Sequence, residues 1–164
     1  MFQLSRAVIL GIGNMLLTDD GAGVHAAHLL ADLLAGRRDV EVLDAGTLSF
    51  TLAPRLAGVR RLIVLDAARL GTPAGTVRCY FGTDIDALLA RARPSVHDLG
   101  LRDLLGIARV TGTLPAERAL IAIEPHSLDW GTEPSPAVSA AILSAARMAR
   151  ELIDVWPASA AAAA

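Results

Sequence analysis

Apolar residues along this chain follow two different periods. Residues 7–10, 40–43, 62–65 and 119–123 are short runs of Val, Ile, Leu and Ala, broken only by Glu41. Runs of that length and composition predict strands covered on both faces, as in a parallel sheet packed between helices. Residues 76–81 differ, because Val77, Cys79 and Phe81 alternate with Arg78 and Tyr80. That period of two predicts an edge or half-exposed strand. Residues 21–35 carry Val24, Ala27, Ala31 and Leu34 on one helical face and His25, His28 and Asp32 on another, the spacing of an amphipathic helix whose polar stripe faces solvent. Residues 50–56 predict a short helix in which Pro54 must fall in the first turn, and residues 84–91 and 98–108 predict two more. Ser135-Pro136 is a helix start, a hydroxyl at the N-cap followed by proline at the first helical position, and the helix it opens runs to about Val155.

Strands and helices therefore alternate. The expected fold class is α/β, a three-layer sandwich with a mostly parallel central sheet of about five strands and helices on both faces. No repeat or long linker divides the chain. Residues 1–156 are expected to form a single α/β domain, and residues 157–164, which end in five alanines, a disordered tail.

Composition narrows the chemistry. The chain has 164 residues, with 17 acids against 15 bases and a net charge of −2, which offers no electrostatic footprint for nucleic acid. All the bases are arginine. Without lysine there is no P-loop, no Schiff base and no Ser-Lys hydrolase. The lone Cys79 excludes an internal disulfide and a cysteine-rich zinc site and fits a reducing cytoplasm; its expected role is that of a small core hydrophobe. No apolar run reaches the ~18 residues of a membrane span. Arg6 and the apolar residues after it resemble a short signal peptide, but Asn14, Asp19 and Asp20 interrupt the run, so a buried first strand is the preferred reading.

In open α/β sheets, ligands bind beyond the carboxyl ends of the strands. There the chain places Asp19 and Asp20 after the first run, Asp44 after the second, Asp66 after the third and Glu124 after the fourth, with His97 in the loop before another helix. Taken singly, these residues read as caps and turn formers. Asp20, Asp66 and His97 together would bring two carboxylates and one imidazole to one sheet edge, a donor set suited to nickel or zinc with positions left open. There is no G-x-S-x-G elbow for a serine nucleophile. A rival reading is a dinucleotide-binding fold, since Gly11-x-Gly13 follows a strand. Its third glycine would fall on Leu16, however, and Asp44 lies too far along to meet a ribose.

The motif Gly11-Ile12-Gly13-Asn14-x-Leu16-x-x-Asp19-Asp20-Gly21-x-Gly23 resembles the opening of the hydrogenase maturation endopeptidases. The likeness continues through Leu43-Asp44-Ala45-Gly46-Thr47, Ile63-Val64-Leu65-Asp66-Ala67 and Ser95-x-His97-Asp98-x-Gly100-Leu101. It ends at Pro125-x-x-x-Asp129-x-Gly131-x-x-x-Ser135-Pro136-x-Val138. The resemblance implies an aspartyl-type endopeptidase that removes a C-terminal extension from the large-subunit precursor of a nickel–iron hydrogenase. It implies that Asp20, Asp66 and His97 engage nickel already inserted in that precursor, with Asp44 a possible accessory acid and no organic cofactor. Neither nucleic acid nor membrane is an expected partner. Glu124 and Pro134 depart from the family pattern, where glutamine and leucine are common. A chaperone that binds nickel or the precursor without cleaving it is the non-enzymatic alternative.

Overall fold

The apolar runs become the strands of one sheet. The computed structural model describes residues 7–91 and 99–156; the expected tail at residues 157–164 and the expected site residue His97 lie outside them. The strands are β1 (Ala7–Ile12), β2 (Val40–Gly46), β3 (Arg61–Ala67), β4 (Val77–Phe81) and β5 (Glu117–Ile123), in the spatial order β2-β1-β3-β5-β4. All neighbours pair in parallel except β4, which runs antiparallel along β5. Four helices, α1 (Ala22–Leu33), α2 (Thr83–Arg91), α3 (Leu99–Val110) and α4 (Pro136–Val155), and two 3-10 segments, Thr18–Gly21 and Ser49–Leu56, connect them.

Alternation along the strands divides the core between two layers. Ile9, Ile63, Leu65 and Ile121 pack against α1 and α4, where Ala22, Ala26, Ala145 and Ala149 keep the helices close to the sheet. Val8, Leu10, Leu62 and Leu120 pack on the other face against Leu56, Ile85, Leu101 and Leu104. Each large side chain buried this way contributes about 1.5–3 kcal/mol. The expected three-layer sandwich is the observed one.

Three details differ from expectation. The run at residues 40–43 is an edge strand and only half buried, because β1 covers one side of it and nothing among the described residues pairs with the other; Glu41, which breaks the run, forms an ion pair with Arg55. Residues 49–56 form a 3-10 segment with Pro54 near its end rather than in a first α-turn, a place where proline forfeits a single donor. Ser135 does stand at the N-cap of α4, but its hydroxyl makes no capping bond; it donates to Asp19 at 2.9 Å.

Candidate active site

The loop after β1 is shaped by close approach. A Cβ on Gly13 would lie 1.9 Å from the Asp20 carbonyl oxygen, and one on Gly23 would lie 2.1 Å from the Leu65 carbonyl oxygen. Glycine at these positions lets the 3-10 turn fold back over the end of β1 and press α1 onto the end of β3. Asp20 is consequently buried, 6% exposed, and accepts the Asn14 N–H at 2.9 Å. Asp66, one residue before the end of β3, is 9% exposed. Since β1 and β3 are direct neighbours, with Gly11 opposite Leu65, the two acids stand at the carboxyl ends of adjacent strands.

The same loop weighs against the dinucleotide alternative. A phosphate site needs unspent backbone N–H groups. Here the N–H of Gly13 donates to Gly46, that of Asn14 to the Asp20 carboxylate, and that of Leu16 to the Asn14 side chain. The N–H groups of Leu17, Thr18, Asp19 and Asp20 donate to the carbonyls of Asn14, Gly131, Ser127 and Leu17. The Asp20 carboxylate takes the Asn14 N–H that a phosphate would need.

Asp19 has a different task from its neighbour, and sequence reasoning missed it. Its side chain is fully buried and does not cap α1. It accepts N–H donors from His126 at 2.8 Å, Ser127 at 2.9 Å and Ser135 at 2.6 Å, as well as the Ser135 hydroxyl. Burial pushes its carboxyl up, but the donors from Ser127, Ser135 and His126 outweigh burial and hold it below the usual 3.8. Asp19 thereby bolts residues 126–135 to the turn that carries Asp20. Asp19 and Ser135 stand in two separate motifs of the resemblance, 116 residues apart, and spacing alone does not join them.

At the outer rim, Asp44 is exposed; its carboxylate meets His28 Nε2 at 2.8 Å and the Gly46 N–H at 2.9 Å. His28 is solvent-facing as expected, though partnered. His25 is not solvent-facing: its Nε2 is buried with no partner among the described residues, and burial, reinforced by His28 and opposed by Glu133, lowers its pKa from 6.5. Glu124 turns inward and accepts the N–H groups of Leu70 and Thr72. Half-buried Cys79 has its thiol pushed up to about 11 by burial, which leaves little thiolate near neutral pH.

Among the described residues no three His, Cys, Asp or Glu side chains converge closely enough to hold an ion. Asp20 and Asp66 supply two oxygen donors, and the third expected donor, His97, lies outside the described residues. No helix among the described residues is long and apolar enough to cross a membrane.

Comparison with known proteins decides between the remaining readings. The HycI hydrogenase maturation protease family matches residues 24–152. The chain belongs to this family. It is therefore a hydrolase of the endopeptidase class. It is 35% identical over 153 residues to the hydrogenase expression/formation protein HupD of Rhodobacter capsulatus, covering 92% of this chain and 73% of that protein. It is 34% identical over 139 residues to the hydrogenase 2 maturation protease of Escherichia coli K12, covering 84% of each. The hydrogenase maturating endopeptidase HybD from E. coli superposes with a TM-score of 0.80 at 32% identity, covering 91% of this chain and 93% of that one.

Proposed function

We propose that this maturation protease removes the C-terminal extension of a nickel–iron hydrogenase large-subunit precursor after nickel insertion, acting in the cytoplasm. The observation that carries the reading is the pair of buried carboxylates, Asp20 and Asp66, on adjacent strand ends at the edge where open α/β sheets bind ligands. Helix α3 supports the inclusion of His97. A Cβ on Gly100, in its first turn, would lie 2.7 Å from Ser49 Oγ and 3.8 Å from Ile12 Cγ2, so α3 begins beside the end of β1. His97 precedes its first residue, Leu99, by two positions.

Nickel in this reading is part of the substrate. Two carboxylate oxygens and one imidazole nitrogen are ligands for a borderline first-row ion, and contacts made only with a loaded precursor distinguish it from an empty one. Hydrolysis then needs water at the scissile carbonyl and a base to take its proton. A carboxylate within hydrogen-bond reach of that water is suited to the transfer.

The test compares nickel-loaded with nickel-free precursor at equal protease concentration. The C-terminal peptide is expected only from the loaded form. Equal cleavage of both rejects nickel as the recognition element and leaves Asp20 and Asp66 to be read as an aspartate catalytic pair. His97→Ala is expected to abolish processing while thermal unfolding stays unchanged; processing at the normal rate removes His97 from the site.

A further inference from the structure

The loops that carry and brace the acids also hold large apolar side chains out in water. Trp130 is 81% exposed and Leu16 is 55% exposed. They are neighbours in space, because the Gly131 N–H donates to the Leu16 carbonyl at 2.9 Å and the Thr18 N–H donates to the Gly131 carbonyl at 2.8 Å. Their frame is braced from below by Asp19, through its bonds to residues 126, 127 and 135. It is tight as well, since a Cβ on Gly131 would come within 2.8 Å of Thr18 Cγ2. Leu48, 58% exposed, stands after β2 at the outer strand of the same edge, away from the Leu16–Gly131 pairing, whereas Val110 at 90% and Val155 at 71% end α3 and α4. Both helices begin at the carboxyl edge of the sheet and end away from it.

We propose that Leu16 and Trp130 form an apolar ledge that seats an apolar side chain of the polypeptide substrate beside the bond to be cut. The inference rests on the proposed role of Asp20 and Asp66. The occupant is a polypeptide because the family cleaves peptide bonds. Leu16 precedes Asp20 by four residues in the same loop, which puts the ledge on the loop that carries the acid. The acids define which side chain fits. A carboxylate on the substrate meets like charge there, whereas an aliphatic or aromatic group loses only its hydration. An indole on a rigid frame offers large contact area with little rotamer entropy to lose, which is why tryptophan dominates binding hot spots.

The experiment uses the full chain carrying Trp156→Phe, a change remote from the ledge, since Trp156 packs edge-on against Phe81 with ring centroids 6.3 Å apart. Trp130 is then the remaining one of two tryptophans. Addition of nickel-loaded precursor is expected to shift its emission to shorter wavelength and to protect it from acrylamide quenching. Trp130→Ala and Leu16→Ala are each expected to raise KM by about tenfold, with kcat changed by less than about threefold, and Trp130→Phe to recover most of the loss. Normal processing with unaltered Trp130 emission and unaltered KM in Trp130→Ala overturns the ledge and leaves the proposed function standing. Failure of the wild-type protein to release any peptide overturns both.

Discussion

The carboxyl end of the sheet holds acids in two settings. Between β1, β3 and β5, the side chains of Asp19, Asp20 and Asp66 are buried. At the outer strand β2, Asp44 stands in water beside His28, with side-chain exposures of 44% and 53%. All of them follow an apolar run and all are aspartates. What separates them is strand order, since a central strand is roofed by loops from both neighbours whereas an edge strand is not. Buried carboxylates interact strongly with any charge or proton donor brought to them, while exposed ones are screened. The inner acids are therefore suited to chemistry or bracing, and the outer one to fine adjustment.

Substitutions sharpen that contrast. Asp20→Asn and Asp66→Asn are expected to slow peptide release by about 10²–10⁴-fold, the range for losing a positioned acid–base group, with little change in thermal midpoint. Asp44→Asn is expected to stay within about tenfold of normal, short of that range. Equal losses at the inner and outer acids would erase the distinction.

The next largest effect falls on stability. Asp19→Ala strands the donors of His126, Ser127 and Ser135 inside the protein and is expected to cost about 3 kcal/mol or more, read from urea unfolding. Asp44→Ala at the exposed rim is expected to cost less than about 1 kcal/mol. A small effect at Asp19 would mean that residues 126–135 hold their place without the bolt.

Acid titration separates the same regions more gently. The carboxyl of Asp19 is held below its ordinary 3.8 in the folded protein, so its contribution to stability is fully present above that pH and is lost as pH falls through the folded value. Asp19→Asn should therefore give a shallower acid limb of unfolding free energy against pH, and an unchanged limb would show that the donors from residues 126–135 do not hold this carboxyl down. His25 acts in a higher window. With its folded pKa below 6.5, the unfolded chain takes up the proton first, and stability falls as pH drops below 6.5. His25→Gln should remove that part.

The smallest effect is expected at His28. Its bond to Asp44 lies in water, where such pairs contribute about 0–1 kcal/mol, so His28→Gln should leave peptide release within about threefold of normal. A larger loss would promote Asp44 to the rank of the inner acids.

Much of this arrangement is legible from the residues alone, for stated physical reasons. Continuous runs of Val, Ile and Leu commit a segment to a strand, and alternation at residues 76–81 marks the edge strand β4. Strand followed by helix then dictates a layered sheet whose carboxyl end carries the acids. The motif around Gly13 and Gly23 supplies the family resemblance. Local pattern carries no information about strand order, so β2 reads like a central strand although it lies at the edge. It also carries none about contacts between distant residues. Asp19 and Asp20 are adjacent and chemically identical, yet one reaches Ser135 and the other Asn14, because successive residues of the turn point different ways. Ser135 likewise has the local form of a cap and is drawn off by a buried carboxylate 116 residues away. Propensity and periodicity are properties of neighbours along the chain, and they determined the elements. Burial and hydrogen-bond partners are properties of neighbours in space, and only the folded structure decided which aspartate braces, which is buried at a strand end and which stays in water.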